Sequence, residues 1–346
     1  MMATPAGDGA AAQVYLHSNE SALGPSPKAL AAARAALDAI ERYPEEGGAS
    51  LAEAIGAAFD LDPQRIVCGH GSDELLGRLA RAYLDPGDEL IHCVHGYLKF
   101  PNYAHAMAAK PVAAPDADFR ASVDAMLSCV TPRTRMVMLA NPDNPTGTFL
   151  GGQEIRRLHA GLPANVLLDL DSAYAEYVTA ADYELPMALV DEGENVVMTR
   201  TFSKIFGLAG MRLGWLYGPP AVVDVMRRLS MTFPVSAPAI AAGIAAVGDR
   251  THRERVFAHN RDVLRWFTRE MTDLGLHVYP SQANFVLIRF DEPSRPAQDA
   301  YRYLFERGVV ARMFASPDYR NMVRVTIGLE PEMRAAATAL RDYLRG

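Results

Sequence analysis

Short apolar segments alternate with longer helical patterns between residues 65 and 200, and that alternation leaves the chain few folds to choose from. Arg65–Cys68, Glu89–Cys93, Met136–Ala140, Val166–Leu170 and Val196–Thr199 read as strands. Asp73–Tyr83, Tyr97–Ala108 and Ile155–Gly161 read as helices, and Leu75, Leu76, Leu79, Ala80 and Tyr83 form the stripe of the first. Strands that are apolar throughout and joined by helices predict a largely parallel α/β sheet covered on both faces. Beyond Pro234–Pro238 the pattern changes. A helical stretch from about 239 to 274 precedes short strands at His277–Tyr279, Phe285–Ile288, Val309–Ala311 and Val323–Ile327. A helix from about 298 to 307 lies among them, and a last helix begins at Glu332. This predicts a large α/β domain over 41–235 and a smaller α+β domain built from 1–40 and 236–346.

Charge and cysteine content narrow the function classes. The net charge is -7 and no Lys/Arg run stands out, which argues against nucleic acid as a partner. No apolar stretch reaches membrane-spanning length. Cys68, Cys93 and Cys129 are odd in number and form no CxxC pair, as expected of reduced thiols in a cytoplasmic protein. Met1–Ala12 lacks the basic start and apolar core of a secretory signal and reads as a loose tail.

Lysine is scarce. It occurs only at 28, 99, 110 and 204, so of 34 basic residues 30 are arginine (34 − 4). A guanidinium cannot form an imine, so a lysine kept just past the apolar strand Val196–Thr199 has a chemical reason to stay. Thr201, Ser203 and Arg212 surround Lys204 in sequence, with glycines at 207, 210 and 214. An amine, two hydroxyls and a guanidinium suit an aldehyde that also carries a phosphate. Read alone, Lys204 could equally be a lysine snorkelling from a strand end.

Other polar residues also stand just past strand ends, where α/β sheets bind ligands. In Gly69–Glu74 two glycines make a turn, and Ser72 or Asp73 can cap the following helix, whose free N–H groups suit a phosphate. Asn144 lies between Pro142 and Pro145, which hold its amide. Asp169 and Asp171 share one side of an apolar strand, so at least one should meet a cation, either a protonated ring nitrogen or a core arginine. Tyr174 lies one turn beyond. Tyr97 could stack on a planar ring or fill the core. His70, His92 and His95 lack metal-ligand spacing, so no metal site is expected. Arg324 points away from the face of Val323 and Val325, and Arg312 ends another short strand; two such arginines could fork onto an anion.

In order and spacing these segments resemble the fold-type I pyridoxal-phosphate aminotransferases, in particular the histidinol-phosphate aminotransferase branch. The marks are Leu16–Glu20, Arg42-Tyr43-Pro44, Gly71–Glu74, Asn144–Gly147, Asp171–Tyr174, Ser203-Lys204 with Arg212, Ala283-Asn284-Phe285 and Val323–Gly328. The resemblance implies an aspartate-aminotransferase-like fold and pyridoxal 5'-phosphate as cofactor. It implies that Lys204 condenses with the cofactor aldehyde and shuttles a proton, and that Asp171 keeps the ring nitrogen protonated. Asn144 and Tyr174 would bond the phenolate oxygen, and Tyr97 would stack on the ring. Ser72, Asp73, Thr201, Ser203 and Arg212 would hold the phosphate, joined by Tyr43 from the second subunit of a homodimer. Arg324, Arg312, Asn19 and Tyr43 would meet the substrate, an amino acid or oxo acid.

The implied reaction passes the amino group of L-histidinol phosphate to 2-oxoglutarate by ping-pong kinetics. Three departures bear on the substrate. Ser172 stands where relatives usually carry Glu, and Ser21-Ala22 replaces an aromatic or Asn followed by Pro. An aminotransferase of aromatic or other amino acids is therefore the alternative. A decarboxylase or lyase of the same fold, a cofactor-free lysine aldolase and a non-enzymatic cofactor sensor are further ones.

Overall fold

A computed structural model describes residues 13–346; the N-terminal tail Met1–Ala12 lies outside the described residues. Twelve strands occur among those residues: β1 (Val14–Tyr15), β2 (Ile66–Gly69), β3 (Glu89–Cys93), β4 (Lys110–Ala114), β5 (Thr134–Ala140), β6 (Leu167–Asp171), β7 (Val196–Thr201), β8 (Gly214–Tyr217), β9 (His277–Val278), β10 (Phe285–Arg289), β11 (Val309–Val310) and β12 (Met322–Thr326). Seven form one sheet in the order β2-β8-β7-β6-β5-β3-β4. Its pairs are parallel except that β8 runs antiparallel to both β7 and β2.

The register of this sheet gathers the site. Ala140 pairs with Asp171, Asp171 with Thr199, Thr201 with Gly214, and Gly69 with Gly214. The carboxyl ends of β2, β5, β6 and β7 and the start of β8 therefore share one edge. Alternation puts Val137 and Leu139 of β5 into one core and Met136 and Met138 into the other, so both faces are dry. β4 carries Pro111 at the sheet margin, where one strand side needs no N–H donor. β4 and β8 are the strands of this sheet that the apolar pattern does not announce.

A three-stranded antiparallel sheet, β12-β10-β9, has a separate core around Val286, Ile288, Val323, Val325, Phe267 and Met333. The parallel pair β1–β11 lies beside it. Residues on both sides of the expected boundary at 235/236 share a core, and the expected single helical stretch over 239–274 needs correction. Helices Pro27–Ala36 and Ala237–Gly248 pack on each other, and Ala29, Ala33, Ala239 and Ala242 belong to the core of the large sheet. Small side chains let these helices approach closely, which assigns them by packing and not by chain order. The helical stretch 239–274 is also two helices, Ala237–Gly248 and Arg250–Asp273. Asp249 breaks it and caps the second by accepting from His252 N at 3.4 Å. Its other carboxylate oxygen accepts from Ser26 Oγ at 2.5 Å, which pins the first long helix to the break. No helix among the described residues is long and apolar enough to cross a membrane.

Candidate active site

A cavity of about 240 Å³ opens at the shared sheet edge. Ser72, Asp73, Tyr97, Asn144, Asp171, Tyr174, Thr201, Ser203, Lys204 and Arg212 all line it, so ten of the residues singled out in the sequence come together from five separate segments. A larger cavity of about 610 Å³ lies around Cys68, Arg227 and Met231 and contains none of them. The ten polar candidates gather in the smaller one.

Lys204 follows β7 in a tight loop closed by Gly207, whose φ is +68°. A Cβ on Gly207 would strike the backbone of Gly24 and Pro25, so only glycine lets that segment close over the lysine. Lys204 Nζ donates to Ser18 O at 3.3 Å and Asn19 O at 3.2 Å. Burial lowers its pKa to about 8, and the Arg324 guanidinium adds to the effect while Glu20 and Asp171 oppose it. About one amine in ten is thus unprotonated at pH 7, far more than an ordinary lysine offers, and able to act as a nucleophile.

Asp171 ends β6 and is 5% exposed. Burial pushes its carboxyl up to about 7, against the Ala173 N–H bond and the Lys204 charge, which favour the anion. A buried carboxyl short of positive charge, facing a cavity, is what a cationic ring nitrogen would complete. Asp169, two residues earlier, lies outside the cavity. Its Oδ1 accepts from Thr199 Oγ1 at 3.1 Å, its Oδ2 has no partner, and burial raises its pKa strongly. Burial thus favours its neutral form, and the arginine partner that a core aspartate could have taken is not there among the described residues.

At the other end lies an anion cradle. The helix Ser72–Tyr83 starts behind Gly71, whose φ is +83°. This corrects the capping expectation: Gly71 is the cap residue, while Ser72 and Asp73 occupy the first helical turn. A Cβ on Gly71 would come within 2.6 Å of Arg212 Nη2, so glycine is what admits the guanidinium to the helix start. Arg212 Nη1 donates to Ala209 O at 3.0 Å and, at 3.4 Å, to Ser203 Oγ. Ser203 N donates to Thr201 Oγ1 at 3.1 Å. Free helix N–H groups, two hydroxyls and a guanidinium make a site for a phosphate.

The walls are polar and interlocked. Tyr174 Oη accepts from Asn19 Nδ2 at 2.9 Å, and burial pushes its phenol up to about 12. Asn19 is held in turn by Thr326 Oγ1 and by Asn284, which donates to Asn19 O at 3.2 Å. Asn144 Oδ1 accepts from Arg324 Nη1, which leaves its amide N–H groups for the cavity. Both peptide bonds preceding Pro142 and Pro145 are cis. Asp143, unremarked in sequence, is buried beside this turn and accepts from Asn144 N at 2.7 Å.

Four expected residues do not line the cavity: Asn19 and Arg324 stand behind its wall, bonded to Tyr174 and Asn144, and Arg312 and Tyr43 lie farther off. Arg312 pairs with Arg324 through backbone bonds of 2.9 Å in both directions, and its guanidinium lies over Phe314. Tyr43 is 82% exposed and stacks on Phe233 at 4.5 Å, on the outside of this chain. Sequence reasoning missed Tyr103 and Asp143; each acts through contacts that only the folded chain creates.

Comparison with known proteins gives the same picture. Residues 11–340 match the family described as "Aminotransferase class I and II". A histidinol-phosphate aminotransferase of Rhodospirillum centenum is 51% identical over 331 residues, 96% of this chain and 91% of that one. The crystal structure of histidinol-phosphate aminotransferase from Sinorhizobium meliloti in complex with pyridoxal-5'-phosphate superposes with a TM-score of 0.91 at 29% identity, covering 96% of this chain and 91% of that one. An aspartate aminotransferase mutant of Thermus thermophilus shares the fold, with a TM-score of 0.85 at 21% identity over 95% of this chain and 96% of that one.

Proposed function

The chain belongs to the class I and II aminotransferase family, and from that premise we propose that it moves the amino group of L-histidinol phosphate to 2-oxoglutarate with pyridoxal 5'-phosphate as cofactor. The observation that carries this is one cavity with Lys204 and Asp171 on its walls and the Gly71–Arg212–Ser203 cradle at its end. The residues fit the cofactor. A nucleophilic amine, a buried carboxyl lacking a cation and a phosphate cradle are its three requirements, and each was found independently. When bound, the cofactor supplies an electron sink for the bonds at the substrate's α-carbon.

The chain supplies the rest. Lys204 Nζ takes and returns the proton at the substrate Cα. Asp171 would pair with the cofactor's protonated ring nitrogen. Asn144 Nδ2 and Tyr174 Oη would donate to its phenolate oxygen, and Asn19, bonded to Tyr174, orients that phenol. Thr201, Ser203, Arg212 and the Ser72-Asp73 helix start bind the cofactor phosphate, with Tyr97 against the ring face. Arg324 receives the substrate's anionic group, and Arg312 adds positive charge behind it. The family name of the 51%-identical relative supports histidinol phosphate over an aromatic amino acid, despite Ser21-Ala22 and Ser172.

The protein acts as a homodimer in which Tyr43 of one copy reaches the site of the other. Supporting this, Leu37, Ile40, Tyr43, Met231 and Phe233 expose large apolar surface. Cys68, Cys93 and Cys129 are unpaired, in keeping with a cytoplasmic location. An amino-donor screen tests the substrate. The cofactor's absorbance is followed with histidinol phosphate or phenylalanine, and glutamate formation with 2-oxoglutarate. Conversion by phenylalanine but not by histidinol phosphate would overturn the proposal.

A further inference from the structure

Tyr97 Oη and Tyr103 Oη both donate to the same oxygen, Asp73 Oδ1, each at 2.9 Å. Asp73 stands at the second position of the helix Ser72–Tyr83, among the N–H groups that face the phosphate cradle. A carboxylate there can bond those N–H groups itself and repel an incoming phosphate. Two phenols on one oxygen instead hold it turned toward the tyrosines. Tyr103 belongs to the helix Phe100–Ala106, and Tyr97 lies just before that helix, joined to it by the Phe100 N to Tyr97 O bond of 3.1 Å. Phe100 is buried and meets the Tyr97 ring edge-on at 5.3 Å. On the opposite side the Tyr103 ring lies over Gly77, 3.7 Å from where a Cβ would stand, an ordinary packing distance. Burial and the Asp73 charge raise both phenols well above the usual range, so both stay donors.

We infer that Tyr103, which does not line the cavity, is a positioning residue: it fixes Asp73 from a second side, and through Asp73 it sets the Tyr97 ring and keeps the helix start open for phosphate. This rests on the pyridoxal-phosphate reading of the site. Cofactor-free protein is titrated with pyridoxal phosphate, following absorbance and the dichroism induced in the bound chromophore. Tyr103→Phe should weaken binding about fivefold, the worth of one net hydrogen bond, and should change the induced dichroism. In an Asp73→Asn background the same substitution should change affinity by about twofold or less, because the shared acceptor is altered. Equal loss in both backgrounds, or unchanged affinity and dichroism, overturns the inference. So does a Tyr103→Phe chain that no longer melts cooperatively without cofactor, since that would be a structural role. Failure of the unaltered protein to bind pyridoxal phosphate would instead overturn the cofactor reading.

Discussion

Arg324 donates through Nη1 to Asn144 Oδ1 at 2.5 Å, so the guanidinium on β12 is latched to the turn that follows β5. Nη2 donates to His17 O at 2.7 Å, and Nε has no partner. Burial lowers the Arg324 pKa to about 10, yet the group stays charged at neutral pH. An anion reaching Arg324, as proposed, would meet a guanidinium already held in place by Asn144 and His17. Lysine at this place keeps charge but loses the planar fork. Arg324→Lys is expected to lower kcat/KM by roughly 100-fold, mostly through KM, about 2–3 kcal/mol for a charged hydrogen-bonded pair. Steady-state kinetics check it; a change under about threefold would remove Arg324 from the substrate site.

Lys204→Ala should abolish turnover while leaving the cofactor-free chain at least as stable as before. The amine lines the cavity and is met by two carbonyl oxygens and no carboxylate at bonding distance. Its folded pKa, about 8, lies below its ordinary 10.5, so the folded chain holds this proton more weakly than the unfolded one. The unaltered protein should therefore lose stability relative to Lys204→Ala as pH falls from 10.5 toward 8. Urea midpoints of the two proteins across that window test the sign. Parallel curves would show that the amine is not desolvated.

Much of this was readable because polar residues stood in costly places. Lys204, Asp171 and Asn144 each follow an apolar strand whose continuation would have been apolar, and the parallel register then aligned their strand ends. β8 was unreadable, since it is only four residues long, opens on Gly214 and runs antiparallel to its neighbours. The break at Asp249 was hidden for another reason. An aspartate in a helical stretch reads as a surface acid until Ser26, 223 residues away, is seen to hold it. Tyr103 looks like any helix aromatic, because its value lies in a bond to Asp73, 30 residues earlier.

Asp171 predicts a pH slope of opposite sign. Its folded pKa is raised from 3.8 to about 7, so its contribution to stability is full below 3.8 and is lost as pH rises through 7. In cofactor-free protein, Asp171→Asn should lack this slope and end on the order of 4 kcal/mol ahead of the unaltered chain above pH 7. Pyridoxal phosphate, by placing a cation beside the carboxylate, should flatten the slope in the unaltered protein. Denaturant titrations between pH 4 and pH 8 read both effects. A slope unchanged in Asp171→Asn would assign the titration to another group.

A buried ion pair underlies the loop that carries Lys204. Arg200 on β7 is fully buried, with its guanidinium 4.8 Å from the Phe59 ring centre and 5.2 Å from that of Trp215. Its Nη2 donates to Glu176, while Nε and Nη1 have no partner. Glu176 is the carboxylate in a direct ion pair with this cation. Glu176→Ala would leave a buried guanidinium unpaired, which costs about 3–5 kcal/mol. Replacing both members with apolar residues, Glu176→Ala with Arg200→Met, should recover most of that loss, because the uncompensated charge is gone. Arg200 immediately precedes Thr201, so the single variant should also loosen the Thr201–Lys204 loop and weaken cofactor binding. Urea unfolding of the single and double variants decides it. A single variant within about 1 kcal/mol of the unaltered protein would mean that water or another group already solvates Arg200.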